Sequence, residues 1–306
     1  MNEKVMKVID LVPGNRIPLA TVQARSLNEQ TFWTEFVCMH TPVIVKGAIA
    51  EWSALERWRR VGYLEERCGN EVVEVSRTFN AGPILKNAAT QSQRLADCIN
   101  EMRQASDDAT YSIPGLPVPE KWRADLGGYS FLGRKYERAP LWYPRRRLFV
   151  YKNASTEWHY HNLDETVTSQ LVGTKRISLF RLNAENWHAF APLIEANWHH
   201  MSCGRRFFPE GATLRKYEGV IDAGDAIYVP PFWWHGVDPA DTGLGVTLAH
   251  CFRSPVRRLG AWEEPVTRVL VGRVSRSHKA RLLPLLALLS CSSISRMLHH
   301  EKWWPM

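Results

Sequence analysis

Short apolar runs separated by turn residues dominate residues 147–253. Four runs are rich in β-branched or aromatic residues, namely Leu148–Tyr151, Arg176–Phe180, Ala226–Val229 and Gly245–Leu248. Many short strands joined by turns are typical of a β-sandwich or β-barrel. The pattern therefore predicts a barrel core in this part of the chain.

The residues before the barrel predict a mixture of elements. The β-branched run Thr41–Gly47 ends at a glycine and predicts a buried strand. Residues Glu51–Cys68 predict packed helix, because their large apolar side chains follow mostly helical spacing: Trp52, Leu55, Trp58, Tyr63 and Leu64. Residues 78–144 are rich in Gly and Pro. Within them, Ile113–Pro119 predicts a loop that either contacts substrate or covers a sheet edge.

The residues after the barrel predict helices. The run Leu282–Leu289 is apolar nearly all round, and such a helix is normally buried. We expect a catalytic domain over residues 1–254, with its barrel core at about 147–254, and a helical tail over 255–306 that pairs two subunits. The alternatives are a tail packed under the N-terminal helices or one lying on a membrane surface. Pro284 and the short length argue against a membrane span.

Composition and charge narrow the class of protein. The chain has 306 residues, of which 45% are hydrophobic and 23% charged, as expected for a globular protein. The formal net charge of +8 favours an acidic partner: a peptide rich in Asp or Glu, a nucleic acid or an anionic cosubstrate. A solvated basic face explains the charge equally well, and no nucleic-acid-binding motif accompanies it.

The cysteines and the N-terminus predict a compartment. Six cysteines are scattered without a CxxC pair, which argues against a zinc ribbon or a thioredoxin motif. A chain of this length needs no disulfide staples, and Met1–Pro13 lacks the apolar core of a signal peptide. We therefore expect a reducing, cytoplasmic location.

Two histidines two residues apart are the first candidate for chemistry. His159 and His161 stand in the segment Thr156–His161, and alternate residues of a strand share a face. On a strand, both imidazoles would project toward one metal ion. The alternative is a pair of buried core histidines with hydrogen-bond partners.

A third histidine follows an aromatic approach. The segment Ala223–His235 begins with a turn and an apolar strand, continues through two prolines and reaches Trp233, Trp234 and His235. A histidine in such surroundings needs a polar partner, because burying an unsatisfied polar group costs free energy. A metal ion would supply one.

These segments resemble a known enzyme family. Gly224-Asp225-x-x-Tyr228-Val229-Pro230 followed by Trp233-Trp234-His235, and Thr156-x-x-His159 followed by Gln170-x-x-Gly173-x-Lys175-Arg176, are similar to the two metal-site motifs of the JmjC/cupin-like (cupin_8) Fe(II)- and 2-oxoglutarate-dependent hydroxylases. The segment Pro42–Gly47 with Trp52 and Trp58 is similar to that family's entry region. The resemblance covers about residues 30–77 and 147–254. It implies a mainly β fold: a double-stranded β-helix (jelly-roll) core with N-terminal α/β elements and C-terminal helices.

The resemblance also implies roles for single residues. His159 and His235 match the first and the distal iron ligand. Lys175 matches the basic residue that pairs with the far carboxylate of 2-oxoglutarate, and Thr156 matches a hydroxyl that binds the same carboxylate. The alternative for Lys175 is a surface lysine at a strand end.

The chain departs from the family pattern at the third ligand. The usual motif is His-x-Asp, and His161 stands at the Asp position. The segment from His159 to Gln170 is also one residue longer than usual, so a bulge there would make Asp164 or Glu165 the carboxylate ligand instead.

Four further residues are assigned from the family pattern or from their aromatic character. His250 stands where the family often has an asparagine facing the site, and it either binds cosubstrate, substrate or metal or is a core histidine. Trp158, Trp233 and Trp234 are expected to line the substrate cleft.

The leading functional hypothesis is an Fe(II)- and 2-oxoglutarate-dependent hydroxylase that uses oxygen and acts on a C–H bond, with a peptide or protein as the expected substrate. The alternatives are a three-histidine oxygenase that does not use 2-oxoglutarate, for which copper or nickel would also suit the ligands, and a cupin that binds without catalysis.

Overall fold

The fold is seen in a computed structural model. The residues that it describes are 7–68, 70–77, 90–133, 137–141, 143–161, 164–183, 185–196, 214–254, 264–265 and 267–269.

The elements follow one another as short strands and helices. The strands are β1 Asn15–Pro18, β2 Thr21–Gln23, β3 Val43–Lys46, β4 Val72–Ser76, β5 Thr90–Arg94, β6 Tyr111–Pro117, β7 Arg146–Lys152, β8 Thr156–His159, β9 Glu165–Val172, β10 Lys175–Phe180, β11 Arg215–Ile221, β12 Ala226–Val229, β13 Trp234–Pro239 and β14 Leu244–Phe252. The α-helices are α1 Glu29–Thr31, α2 Ala54–Arg57, α3 Tyr63–Arg67, α4 Leu95–Gln104 and α5 Trp187–Ala196; a π-helix spans Phe32–Val37, and 3-10 turns span Val8–Leu11, Ala24–Ser26 and Glu120–Asp125.

The described strands form two sheets. The smaller has the order β1-β11-β10-β13-β8, and the larger has the order β2-β3-β12-β9-β14-β7-β6-β4-β5. From β7 onward the chain passes repeatedly from one sheet to the other, with β7, β9, β12 and β14 in the larger and the strands between them in the smaller. This is the arrangement of a double-stranded β-helix, and it confirms the predicted fold class.

Alternation along the strands of the larger sheet separates two environments. On β9, Val167 and Leu171 belong to the main hydrophobic core, whereas Thr166 and Thr168 line a cavity on the opposite face. The same core contains the apolar residues of the N-terminal helices, such as Phe32 and Trp58. The main core therefore lies between the larger sheet and the N-terminal elements, outside the barrel.

A smaller apolar cluster fills one part of the barrel itself. Its members come from both sheets and from the residues just before β2 and β13: Leu19, Ile44, Ile177, Leu179, Ile221, Ile227, Val229 and Trp233. This cluster leaves the rest of the interior to the cavity described below.

Hydrogen bonds from polar side chains of the barrel hold the N-terminal segment against it. The Asp238 carboxylate accepts the backbone N–H groups of Val8 and Ile9, at 2.9 Å each. Lys216 donates to the carbonyls of Ile9 and Val12, also at 2.9 Å. The first 3-10 turn thus has its backbone groups satisfied by strands β13 and β11, as a buried turn requires.

Most of the predicted strands are observed, and one prediction for the region before the barrel is corrected. Four of the runs predicted as strands lie within β7, β10, β12 and β14, and the run Thr41–Gly47 contains β3. However, the expected loop Ile113–Pro119 lies mostly in strand β6, which pairs with β7 and has a register shift between Ile113 and Leu116. Pro114 and Gly115 fall inside that irregularity, where a missing backbone donor and a positive φ are tolerated.

Two further outcomes concern helices. Helix α5 was not predicted from the sequence. The helical tail lies almost wholly outside the described residues, which include only 264–265 and 267–269 of it. The domain boundary at 254 and the pairing of two subunits stay predictions. Within the described part of the chain, none of the helices is long and apolar enough to span a bilayer.

Removal of the Asp125 carboxylate should destabilise the N-terminal helices that pack on the larger sheet. This buried carboxylate accepts hydrogen bonds from Arg57 at 2.7 Å, Trp58 at 3.0 Å and Tyr63 at 2.8 Å. Burial alone would raise the pKa of Asp125, but these hydrogen bonds outweigh burial and hold its pKa below the ordinary value. Asp125→Ala should lower the free energy of unfolding by about 1–3 kcal/mol in urea titrations, because it leaves the buried indole N–H of Trp58 without an acceptor and removes the acceptor of the more exposed Arg57 and Tyr63.

The pH dependence and a control sharpen this test. Since the pKa of Asp125 is lowered in the folded state, its stabilisation is complete above about pH 4 and is lost as the pH falls further. The difference in the free energy of unfolding between wild type and Asp125→Ala should therefore shrink as the pH falls below about 4. Glu120→Ala removes an exposed partner of Arg123 and should cost less than about 1 kcal/mol. Equal effects of the two variants would contradict the assignment.

Candidate metal and cosubstrate site

A cavity of about 130 Å³ lies between the two sheets. It is lined by Gly115, Tyr143, Arg147, Phe149, Thr156, His159, His161, Thr166, Thr168, Lys175, Ile177, Ile221, Val229, His235, Val237, Thr247 and Ala249. Several of these residues are half-buried, including Tyr143, Arg147 and Thr156, so the cavity reaches solvent.

Three buried histidines meet in this cavity. The ring centroids of His159 and His235 lie 4.1 Å apart, those of His161 and His235 lie 4.9 Å apart, and those of His159 and His161 lie 5.2 Å apart. One ring nitrogen of each lies within 4.8 Å of the others. Among the described residues, this is the one group of histidine, cysteine or acidic side chains close enough to hold a metal ion together.

Hydrogen bonds orient two of these imidazoles. Nδ1 of His159 lies 2.7 Å from the carbonyl oxygen of Glu157, and Nδ1 of His235 lies 2.9 Å from the carbonyl oxygen of Trp233. A carbonyl oxygen can only accept, so Nδ1 carries the proton in both rings and donates it. The lone pair is then on Nε2, the arrangement typical of metal-binding histidines. For His161, Nδ1 lies 2.9 Å from the hydroxyl of Thr166.

An irregularity in strand β8 brings the site residues to one face. In the pairing of β8 with β13, His159 lies opposite His235 and Thr156 lies opposite Val237, so three steps on β8 match two on β13. This bulge allows Thr156 and His159 to line the same cavity despite their odd spacing. His161 follows His159 by two residues, as the strand pattern predicts.

The two acids considered as alternative ligands lie elsewhere. The Asp164 carboxylate accepts the backbone N–H groups of Leu141 at 2.7 Å and Tyr143 at 3.1 Å. The Glu165 carboxylate accepts the hydroxyls of Tyr228 at 2.5 Å and Ser254 at 2.8 Å. Neither belongs to the histidine group, so the geometry favours His161 over the alternative of a carboxylate ligand.

Lys175 and Thr156 line the same cavity as the histidines. Lys175 is buried, and its Nζ lies 4.0 Å from the ring centroid of Tyr151. Burial lowers the pKa of Lys175 to about 7, although the charge of Asp241 partly opposes this effect. A buried amine of this kind is suited to an anionic ligand, since a carboxylate would restore its charged form.

The ring beneath Lys175 is itself held in place. The Tyr151 hydroxyl accepts a hydrogen bond from Gln170 at 2.9 Å, and Gln170 accepts one from Thr247 at 2.8 Å. Gly245 lies opposite Tyr151 in the sheet, and a Cβ there would come within about 2.0 Å of the ring. A glycine is therefore required where strand β14 passes the tyrosine.

His250 lies on the other face of the sheet. Its Nε2 lies 2.9 Å from the Glu137 carboxylate and its Nδ1 lies 3.3 Å from Nε of Arg146, in a second cavity lined also by Tyr129 and Arg145. On β14 the residues that face the histidines are Thr247 and Ala249. His250 is one residue out of phase with these two side chains and therefore points to the opposite face of the sheet. This corrects the expectation that His250 contacts cosubstrate, substrate or metal.

The tryptophans expected to line a substrate cleft are packing residues. Trp158 donates its indole N–H to the carbonyl of Val8 at 2.8 Å, and Trp233 donates to the carbonyl of His40 at 2.9 Å. Trp234 stacks on Phe180, with 5.5 Å between ring centroids and 12° between planes. All three are buried, and none lines the cavity. Trp158 and Trp234 alternate with the cavity-facing histidines and so point away from them.

Three prominent residues of the cavity wall were not among the predicted site residues. Arg147 and Phe149 alternate with Leu148 and Val150 on β7, and Tyr143 precedes that strand. Arg147, Phe149 and Tyr151 are spaced two residues apart and so share one face of strand β7. That spacing is the sequence feature by which Arg147 could have been identified as a cavity residue.

Comparison with known proteins supports the family resemblance. The family model described as a cupin-like domain matches residues 29–256. Lysine-specific demethylase JMJ30 of Arabidopsis thaliana is 23% identical over 253 residues, which cover 79% of this chain and 57% of that protein. The chain thus spans little more than half the length of this relative.

Other relatives carry different names. tRNA wybutosine-synthesizing protein 5 of Mus musculus is 23% identical over 249 residues, which cover 76% of this chain and 78% of that protein. Arginine-specific demethylase JMJ22 of Arabidopsis thaliana is 24% identical over 254 residues, which cover 76% of this chain and 46% of that protein.

Substitution of the histidines tests the metal site. His159→Ala and His235→Ala should each abolish stoichiometric binding of a divalent ion, because each removes one nitrogen from the three that converge. Elemental analysis after dialysis against Fe(II) without oxygen measures the loss. His250→Ala is the matched control, since it removes a buried histidine behind the same sheet. Metal retained in both site variants, or lost only in the control, would refute the site.

Proposed function

Because the chain belongs to the cupin-like (JmjC-type) family, we propose that it is an Fe(II)- and 2-oxoglutarate-dependent oxygenase that hydroxylates a C–H bond of a peptide or protein side chain. One observation carries the proposal: three converging imidazoles share a cavity with the buried amine of Lys175. The histidines supply a metal-binding group, and the lysine supplies a partner for an anionic cosubstrate.

The donor set fits a divalent metal ion. Metal–nitrogen bonds of about 2.0–2.1 Å place two ligand nitrogens at most about 4 Å apart, so small ring movements close the group on one ion. Three neutral imidazoles leave the full +2 charge of the ion in place, one unit more than a site with two histidines and one carboxylate. Imidazole suits iron, copper, nickel and zinc, and the family favours iron.

The protein's own residues would bind and position the cosubstrate. When bound, Fe(II) and 2-oxoglutarate supply the oxidising chemistry, in which oxygen is reduced and the cosubstrate is decarboxylated to succinate. The Lys175 ammonium would hold the far carboxylate of 2-oxoglutarate by a charge-assisted hydrogen bond, with the Thr156 hydroxyl as a second donor. His159, His161 and His235 would hold the metal.

The rest of the cavity wall would exclude water from the reacting atoms. Ile177, Ile221, Val229 and Val237 line it with aliphatic side chains. In such surroundings the interaction of an ammonium with a carboxylate is stronger than in water. The same surroundings account for the lowered pKa of Lys175.

Two observations support a peptide or protein substrate. Two of the relatives are named as lysine- and arginine-specific demethylases, and the net charge of +8 favours an acidic partner. The relative named for tRNA modification makes nucleic acid the competing class. We propose the peptide because the sequence has no nucleic-acid-binding motif.

A three-histidine oxygenase that does not use 2-oxoglutarate is the second candidate. The observation in its favour is the absence of a carboxylate among the described residues that could hold the metal. Lys175 and Thr156 favour the first candidate, because an oxygenase without 2-oxoglutarate has no need of a buried amine in this cavity.

Succinate formation decides between the candidates. Protein loaded with Fe(II) without oxygen, and then given oxygen and 2-oxoglutarate, should produce succinate measurable by NMR, even without a substrate. His235→Ala should produce none. Oxygen consumption that is independent of 2-oxoglutarate would establish the second candidate instead. Stable metal binding without either reaction would indicate a cupin that binds without catalysis.

The pH dependence of cosubstrate binding should follow Lys175. Because burial lowers the pKa of Lys175 to about 7, 2-oxoglutarate must bind together with a proton above that pH. We expect the affinity of the Zn(II)-loaded protein, measured by calorimetry, to be flat below about pH 7 and to fall about tenfold per pH unit above it.

A lysine variant provides the control for that titration. Lys175→Met should weaken 2-oxoglutarate binding about ten- to a hundredfold and remove most of its pH dependence, while metal binding persists. The same variant should unfold at a higher temperature at pH 6, because it removes the cost of burying an ammonium. Unchanged 2-oxoglutarate affinity would exclude Lys175 as the binding residue.

A further inference from the structure

A second cation lines the cavity, at a distance from Lys175. Arg147 and Tyr151 both stand on strand β7, and the ring of Tyr151 lies beneath Lys175. Four residues of a strand span roughly 13 Å. Arg147 therefore lies well along the cavity from the amine proposed to bind the cosubstrate.

The Arg147 guanidinium is stacked on aromatic rings. Its central carbon lies 3.8 Å from the ring centroid of Tyr143 and 5.4 Å from that of Phe149. The Tyr143 ring in turn lies 5.4 Å from that of His161. Stacking holds the guanidinium plane in place and leaves its donors to bind within that plane, the geometry that suits a planar carboxylate.

The hydrogen-bonding capacity of Arg147 is incompletely used. Its Nε is buried and has no hydrogen-bond partner among the described residues. No described carboxylate forms an ion pair with it within 4.0 Å, whereas its neighbour Arg145 is paired with Glu137. A buried donor without an acceptor costs free energy, and a ligand would remove that cost.

The cavity wall carries one positive charge more than the cosubstrate would neutralise. Among the described lining residues there is no Asp or Glu, and the cations are Lys175 and Arg147. In the proposed function, the two carboxylates of 2-oxoglutarate are taken by the metal and by Lys175. Arg147 then remains uncompensated, beside the metal ligand that replaces the family's usual aspartate.

We infer that Arg147 is the specificity-determining residue of this site and that the substrate carries a carboxylate which the guanidinium binds. This inference rests on the proposed function for the reaction, and it adds the chemical class of the substrate. The carboxylate comes either from an Asp or Glu side chain of a peptide or from a small organic acid. The single charge of Arg147 and its aromatic neighbours suit a planar monoanion better than a phosphate dianion.

Binding of blocked amino acids to the 306-residue protein tests the inference. The probes are the N-acetyl methylamides of Asp and Glu and their neutral isosteres with Asn and Gln, measured by calorimetry on protein loaded with Zn(II) and 2-oxoglutarate. At least one acid should bind at least tenfold more tightly than its isostere. Arg147→Met should lose this preference about ten- to a hundredfold, and Arg147→Lys should retain part of it.

Controls separate the role of Arg147 from general charge and from folding. Arg145→Met removes the same charge from the neighbouring position outside the cavity and should bind the acids as the wild type does. Arg147→Met should keep its metal and bind 2-oxoglutarate within about twofold of the wild type, which also shows that it is folded. If instead it weakens 2-oxoglutarate binding as much as Lys175→Met does, Arg147 belongs to the cosubstrate site and the inference fails.

The remaining outcomes are equally decisive. Acids that bind the wild type no better than the amides, or a phosphoserine probe that binds more tightly than either acid, overturn the inference. The pentapeptide Ac-Ala-Ala-Asp-Ala-Ala-NH2 and its Asn counterpart distinguish the source: tighter binding than that of the single residue indicates a peptide, and equal binding indicates a small acid. Repeating the acid titration on metal-free protein separates this result from the proposed function, because acid binding to Arg147 needs neither metal nor turnover.

Discussion

Side-chain alternation along the strands of the larger sheet is the constraint on which the site depends. The same strands that pack Leu148, Val167 and Leu248 against the N-terminal helices turn Phe149, Thr168 and Thr247 into the barrel. Since the main hydrophobic core lies outside the barrel, the barrel interior does not have to be filled with apolar side chains. Burial of the outer face stabilises the larger sheet, and its inner face is then available for the hydroxyls of Thr166, Thr168 and Thr247, opposite the imidazoles and the amine that the smaller sheet contributes.

This constraint explains which parts of the site could be predicted from the sequence. The two-residue spacing of His159 and His161 indicates a shared face directly, and the motif around His235 identifies the partner strand. His250 could not be placed in the same way. His250 is flanked by Ala249 and Cys251, and only the pairing of β14 with β7 and β9 determines whether His250 or these two neighbours face the cavity. A one-residue error moves a side chain across the whole sheet.

The tryptophans and the bulge in strand β8 show a second limit of prediction from the sequence. A Trp beside a metal ligand suggests an aromatic cleft, yet Trp158 and Trp234 alternate with the histidines and pack on the outer side of the smaller sheet. The bulge that aligns Thr156 with His159 has no signature in the local sequence, because it arises from pairing with a strand about eighty residues further along the chain. The strands of the barrel were predictable because each is a local pattern. The strand β6 was hidden by Pro114 and Gly115, which read locally as a loop.

The charge balance of the cavity connects these features with function. With His161 at the position of the family's usual aspartate, the cavity has one negative charge fewer, in a space that already contains Lys175 and Arg147 and has no described acid in its wall. Such an arrangement opposes folding, because among the described lining residues no acid pairs with either cation, and Asp241 only partly offsets the burial of Lys175. Bound anions would compensate it. The proposed cosubstrate and substrate would therefore stabilise the folded protein as well as react in it, since any ligand that binds only the folded state shifts the folding equilibrium toward it.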